Sequence, residues 1–93
     1  MDAGKSLQIV DVREAQEYVE AHVEGSTLIP LGQLSTRLGE LREDQPVVAM
    51  CRSGNRSSVA VSMLLRAGFR DVSNLEGGIL AWAKSGLPVK RGK

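Results

Sequence analysis

Strand-like and helix-like segments alternate four times within the 93 residues of this chain. Such alternation predicts an α/β fold of three layers. Parallel strands need helical crossovers, and right-handed crossovers lay helices on both faces of one sheet. The expectation is a central, mostly parallel sheet of about four to five strands in one domain spanning residues 1–93. A chain this short buries only a little over half of its unfolded surface, so its stability margin is modest.

The first strand reads as Leu7 to Val12, a β-branched run closed by Asp11 and Arg13. Alternate residues of a strand point to one side, which lets those two charges pair. Glu14 to Ala21 has helical composition, with Ala15, Tyr18 and Val19 as its apolar face and Glu14, Glu17 and Glu20 as a solvated acidic side. A turn containing His22 leads to a second strand, Ser26 to Pro30. His22 is the chain's single histidine and so a general-base candidate, but a histidine at a helix end more commonly orders a turn. Leucines at 31, 34, 38 and 41 predict an amphipathic helix over Leu31–Asp44, weakened at Gly39.

Val47 to Met50 is an apolar run that suits a strand covered on both faces, and it runs directly into Cys51. Arg52, Ser53, Gly54, Asn55 and Arg56 follow as a polar, cationic turn. A helix is expected from about Val59 to Ala67, with Ser57 and Ser58 as its caps and Gly68 as its stop. Asp71 to Leu75 reads as a fourth strand. Ile79 to Lys84 reads as a last helix, with Glu76 as an acid at its start and Gly77 and Gly78 as turn formers. Trp82 is expected to pack against the Cys51 side of the sheet, Met50 and Met63 to fill the core, and Lys90 to Lys93 to fray as a basic tail.

In parallel sheets ligands sit beyond the carboxyl ends of the strands, which is where this reading puts Cys51. A tight turn can aim several backbone N–H groups at one point, and the helix behind it adds partial positive charge. Cationic surroundings lower a thiol pKa from ~8.5 to roughly 3.5–7.5. Cys51 is therefore read as an ionised nucleophile, open to water, that also binds an anion. A lone cysteine at a strand end is otherwise a small buried hydrophobe. A structural cysteine, however, has no need of a glycine-bearing cationic turn.

Composition narrows the partners. Twelve Lys and Arg stand against eleven Asp and Glu, for a net charge of +1, which lacks the one-signed field of a nucleic-acid or membrane-surface binder. A single cysteine excludes an internal disulfide and a multi-thiolate metal site, so neither a metal nor a cofactor is expected. No apolar run approaches the ~20 residues of a membrane span, and Met1 to Lys5 lack the apolar core of a signal peptide. A free thiol suits a reducing cytoplasm.

At these residues the chain resembles the rhodanese sulfurtransferase family in its small single-domain form. Asp11-Val12-Arg13-Glu14 is similar to that family's first motif, and His22-Val23-Glu24-Gly25-Ser26 with Ile29-Pro30 to its second, although Ala21 stands where a glycine is usual. Cys51-Arg52-Ser53-Gly54-Asn55-Arg56-Ser57 resembles the active-site loop. Gly68-Phe69, Leu75-Glu76-Gly77-Gly78, Trp82 and Gly86-Leu87-Pro88 resemble the closing segment. The resemblance implies a rhodanese-like fold and a two-step transfer of sulfane sulfur. Cys51 would take sulfur from an anionic donor such as thiosulfate, hold it as a persulfide, and pass it to cyanide, a thiol or an accepting protein. Arg52 to Ser57 would bind the donor. Gly54, with Asn55 tolerating left-handed backbone, would allow the tight path, and Arg52 and Arg56 would meet its oxygens. Asp11, Arg13, His22, Glu76 and Gly77 would support the site. Family members carry a further strand and short helix before the first motif, while only about six residues precede the first strand here. Either the chain is part of a longer protein or a sheet edge lies open to pairing, so a monomer or a weak homodimer is expected.

Two rivals remain. Phosphatases and arsenate reductases of similar fold hold five residues between cysteine and arginine, whereas four separate Cys51 from Arg56 here, leaving less room for phosphate. Non-catalytic rhodanese-like modules usually lack the cysteine or a recognisable loop, and this chain keeps both.

Overall fold

The computed structural model describes residues 7–92. Its four-stranded sheet is entirely parallel, in the order β2-β1-β3-β4, with β1 at Gln8–Asp11, β2 at Thr27–Leu28, β3 at Val47–Met50 and β4 at Val72–Asn74. Helix α1 spans Ala15–Glu20, α2 Asn55–Arg66 and α3 Gly78–Lys84. The two longest-paired strands, β1 and β3, lie at the centre, where Gln8 to Asp11 align with Val47 to Met50. Their β-branched residues suit a surface that is covered on both sides.

The strand period of two divides the core. Val10, Val12, Val47, Ala49 and Cys51 face one layer, where Ala60 and Leu64 of α2 pack with Ile29, Leu34, Leu41 and Phe69. Met50 faces the other layer with Ile79 of α3 and Val23, and Ile9, Leu75, Trp82 and Val89 pack around them. Trp82 therefore sits on the Met50 side of the sheet, opposite the side expected for it, and its Nε1 donates to the Pro88 carbonyl at 2.8 Å. Met50 is fully buried, and Met63 packs against the α2 layer.

Three other expectations change. The leucines at 31, 34, 38 and 41 do line the core, but the first three sit on two short 3-10 segments, Leu31–Thr36 and Leu38–Glu40, with Leu41 just past the second, rather than on one α-helix. Gly32 and Gly39 weaken a continuous helix there, and 3-10 turns put residues three apart on one side as well. Helix α1 buries none of its residues. Val19 is exposed, and Tyr18 instead stacks on His22 with ring centroids 3.8 Å apart. The chain's end is tied down as far as Gly92. Lys90 exchanges backbone hydrogen bonds with His22 at 2.7 and 2.8 Å, and the Gly92 N–H donates to Val19. Lys93 and the segment before the first strand, Met1 to Ser6, lie outside the described residues.

Asp11 and Arg13 are both buried at the carboxyl end of β1. Arg13 Nε and Nη2 donate to the Asp11 carboxylate at 2.9 and 2.8 Å, and Nη2 also donates to the Ala21 carbonyl at 2.7 Å. The ion pair thus ties β1 to the end of α1. His22 is buried beside it, and its Nδ1 lies 2.8 Å from the Tyr18 carbonyl. A carbonyl only accepts, so Nδ1 carries the proton. These three residues hold the β1–β2 crossover together.

Candidate active site

Strand β3 delivers Cys51 to the carboxyl edge of the sheet, and the chain then doubles back into α2. Gly54 makes the turn with φ of 112°, a left-handed value that glycine adopts without a steric penalty. Helix α2 begins at once, at Asn55, four residues earlier than expected, and Gly54 occupies the N-cap position instead of Ser57 or Ser58. Asn55 is the first residue of the helix and does not take the left-handed backbone expected of it: among the described residues only glycines have positive φ. Ser58 is exposed and donates to the Asn55 carbonyl, while Ser57 is fully buried and turned toward the sulfur.

The loop amides converge on Cys51. The Gly54 N–H donates to Sγ at 3.0 Å and the Ser57 N–H at 3.4 Å, with Ser57 Oγ also 3.4 Å away. Burial pushes the thiol pKa up, but hydrogen bonds to the sulfur, those of the Ser57, Gly54 and Ser53 N–H groups among them, outweigh it, and the thiol lies below its ordinary value. The cysteine is not open to water as expected: it is 1% exposed. With four residues between Cys51 and Arg56, the loop is short enough to draw its amides directly over the sulfur.

The floor of the loop is α3. The Ile79 N–H donates to the Cys51 carbonyl at 2.9 Å and the Leu80 N–H to the Arg52 carbonyl at 3.2 Å. This contact requires glycine at 78: a Cβ there would lie 2.3 Å from the Cys51 carbonyl oxygen and 2.5 Å from that of Arg52. Gly77, with φ of 76°, holds the N-cap position of α3, and Glu76 is exposed beside it. Glu76 therefore does not cap the helix.

Two residues not expected at the site shape it. Glu17 of α1 accepts both Nη1 and Nη2 of Arg56, at 2.8 and 2.9 Å, and also accepts the Glu14 N–H at 2.9 Å. The Arg56 hydrogen bonds hold its carboxyl down to a pKa of about 2. Glu17 read as one of three solvated acids, and only the crossover brings it to Arg56. Asn74, the last residue of β4, donates from Nδ2 to the Gly54 carbonyl at 3.2 Å and accepts the Ser57 hydroxyl on Oδ1. Arg52 is exposed and forms no ion pair among the described residues. Ser53 and Asn55 line the exposed rim. Asp11, Arg13 and His22 belong to the crossover network and share no hydrogen bond with the loop.

Residues 1–85 match the rhodanese-like domain. The chain belongs to the rhodanese-like domain family. Among proteins of this family, a sulfurtransferase of Allochromatium vinosum is 38% identical over 85 residues, covering 91% of this chain and 79% of the relative. A Bacillus subtilis protein named "Putative sulfur carrier protein YrkF" is 40% identical over 82 residues, covering 88% of this chain but 44% of its own length. A rhodanese-like domain from an Anabaena sp protein superposes with a TM-score of 0.87 at 30% identity, covering 95% of each chain. The rhodanese-like fold expected from the motifs is thus the fold observed. No helix among the described residues is long and apolar enough to cross a membrane.

Proposed function

We propose that this rhodanese-like domain is a sulfurtransferase that carries sulfane sulfur as a persulfide on Cys51. The observation that carries the reading is the convergence of the Gly54 and Ser57 N–H groups on Sγ. Donors fixed by backbone stabilise a thiolate and the anion that replaces it. Relatives named as a sulfurtransferase and as a sulfur carrier support the same chemistry.

With thiosulfate as donor, the Cys51 thiolate attacks the outer sulfur. The S–S bond to the sulfonate breaks, and sulfite leaves with the bonding pair. Cyanide or a thiolate then attacks the terminal sulfur of the persulfide, and the Cys51 thiolate departs. Sulfite and thiolate are both stable anions, so neither step needs a general acid. The exposed Arg52 guanidinium meets the donor's oxygens, since Arg56 already gives one N–H of each Nη to Glu17. At 1% exposure of Cys51, the loop must part to admit the donor's sulfur. The accepting group in the cell is a thiol, free or on a partner protein, in a reducing compartment that spares the persulfide. The sulfur-carrier relative favours the protein partner.

The same 1% exposure favours a second reading, a rhodanese-like binding module with an idle cysteine. Turnover separates the two. The domain is assayed with thiosulfate and cyanide and, in parallel, with an aryl phosphate. Thiocyanate formation that Cys51→Ser abolishes, without phosphate release, supports the sulfurtransferase. No thiocyanate from a folded protein supports the module.

A further inference from the structure

Ser57 Oγ has two partners and one proton. It lies 3.4 Å from Cys51 Sγ and also contacts Asn74 Oδ1. The orientation of the Asn74 amide follows from its other end. The Gly54 carbonyl 3.2 Å away can only accept, so the atom facing it is Nδ2 and the atom facing Ser57 is oxygen. An amide oxygen cannot donate, so the hydroxyl proton goes to Asn74. Ser57 Oγ is then left with lone pairs toward the sulfur, which suit an S–H and oppose a thiolate.

We infer that Asn74 is a positioning residue that withholds the Ser57 proton from Cys51 and so sets how readily the thiol ionises. The inference rests on the reading of Cys51 as the sulfur-carrying nucleophile and adds a control to it. The amides of Gly54 and Ser57 pull the thiol toward ionisation, and Asn74 limits that pull by occupying the one donor that could turn either way. A thiolate with fewer hydrogen bonds is the better nucleophile, and attack is fastest when the thiol pKa lies near the ambient pH. Asn74 is fully committed to this arrangement. It ends β4 directly beside β3, at the register Ala49 to Asn74, and its two amide atoms clamp both ends of the turn, Gly54 and Ser57. Of the charged groups on neighbouring elements, Arg56 on α2 interacts with Cys51 and is held by Glu17 of α1, while Arg52 on the loop and Glu76 beyond β4 are exposed. None of them bonds to Ser57 Oγ, whose partners are Cys51 and Asn74.

The test is the pH dependence of Cys51 alkylation by iodoacetamide in the folded domain, which needs no sulfur transfer and so stands apart from the proposed activity. In Asn74→Ala the hydroxyl turns to the sulfur. The alkylation midpoint falls by about one pH unit, the effect of one ordinary hydrogen bond on an ionisation. In a Ser57→Ala background the same substitution leaves the midpoint in place. Asn74→Asp keeps an acceptor toward Ser57 and adds a negative charge, so its midpoint rises. This second variant decides the matter should Asn74→Ala fail to fold by circular dichroism. The inference is overturned by an unchanged or raised midpoint in Asn74→Ala, by a fall that persists without the Ser57 hydroxyl, or by a lowered midpoint in Asn74→Asp.

Discussion

Adding one carbon at Gly78 tests how the loop is seated. The Cβ of Gly78→Ala would stand 2.3, 2.5 and 2.6 Å from the Cys51 carbonyl oxygen, the Arg52 carbonyl oxygen and the Arg52 carbonyl carbon. All three are backbone atoms, so no flexible side chain can move aside. The residue also has φ of +58°, where a Cβ costs about 1–2 kcal/mol on its own. Overpacking adds about 1–3 kcal/mol. Gly25→Ala serves as the control, because its φ is +85° and nothing lies within 4 Å of its Cβ position. The strain is then common to both variants, and the difference between them isolates the clash. Urea unfolding should show Gly25→Ala destabilised by about 1–2 kcal/mol and Gly78→Ala by roughly 2–5 kcal/mol. The larger figure is a sizeable part of the ~5–15 kcal/mol that stabilises an ordinary domain. The expected cost in sulfur loading at a temperature where both variants are folded is also larger for Gly78→Ala, since its clash falls on the cysteine itself. Equal destabilisation of the two variants would refute the argument that α3 seats the loop by direct backbone contact.

Other consequences follow from the ion pairs and the thiol. Glu17→Gln breaks the bidentate pair with Arg56. Both side chains are about a third exposed, at 29% and 36%, so solvent screening limits the loss to about 0.5–1 kcal/mol at neutral pH. The folded pKa of Glu17 is lowered from 4.5 to about 2, so the stabilisation is present above pH 4.5 and lost as pH falls through about 2. Thermal unfolding should show wild type and Glu17→Gln converging across that window, and a constant difference would contradict it. Arg13→Met leaves the Asp11 carboxylate buried without its guanidinium and should cost about 3–5 kcal/mol in urea unfolding. A loss below about 1 kcal/mol, that of an exposed pair, would contradict the structural role given to it. Cys51 has a thiol pKa below its ordinary value, so its alkylation rate should rise with pH and level off below the pH at which the urea-unfolded chain does. At its plateau the folded rate should also be slower, because the residue is 1% exposed.

The layered fold was legible because period and order carry it. Alternating strands and helices, and the β-branched runs at Ile9 to Val12 and Val47 to Met50, specify a parallel sheet before any tertiary contact is known. The thiol and its loop were legible because Cys51, Gly54 and the cations lie within a few residues of one another. Local backbone detail was less accessible. Gly54 at φ of 112° starts α2 at Asn55, whereas Ser57 and Ser58 look like better caps in isolation. The leucine spacing from 31 to 41 is met equally by 3-10 and α turns, so it identifies the buried side but not the helix type. The expectation that Trp82 packs on the Cys51 side fails, because nothing in its own segment says which face of the sheet α3 covers. Glu17 and Asn74 lie 39 and 17 residues from their partners Arg56 and Ser57 at the start of α2. No pattern in the chain pairs them, and only the strand order brings them together.

The most direct test of sulfur carriage is the mass of the intact protein after exposure to thiosulfate. The wild type should gain one sulfur atom, located on the peptide containing Cys51, and cyanide should remove it. Cys51→Ser should gain none. An unchanged mass in the folded wild type, or an equal gain in Cys51→Ser, would contradict the account.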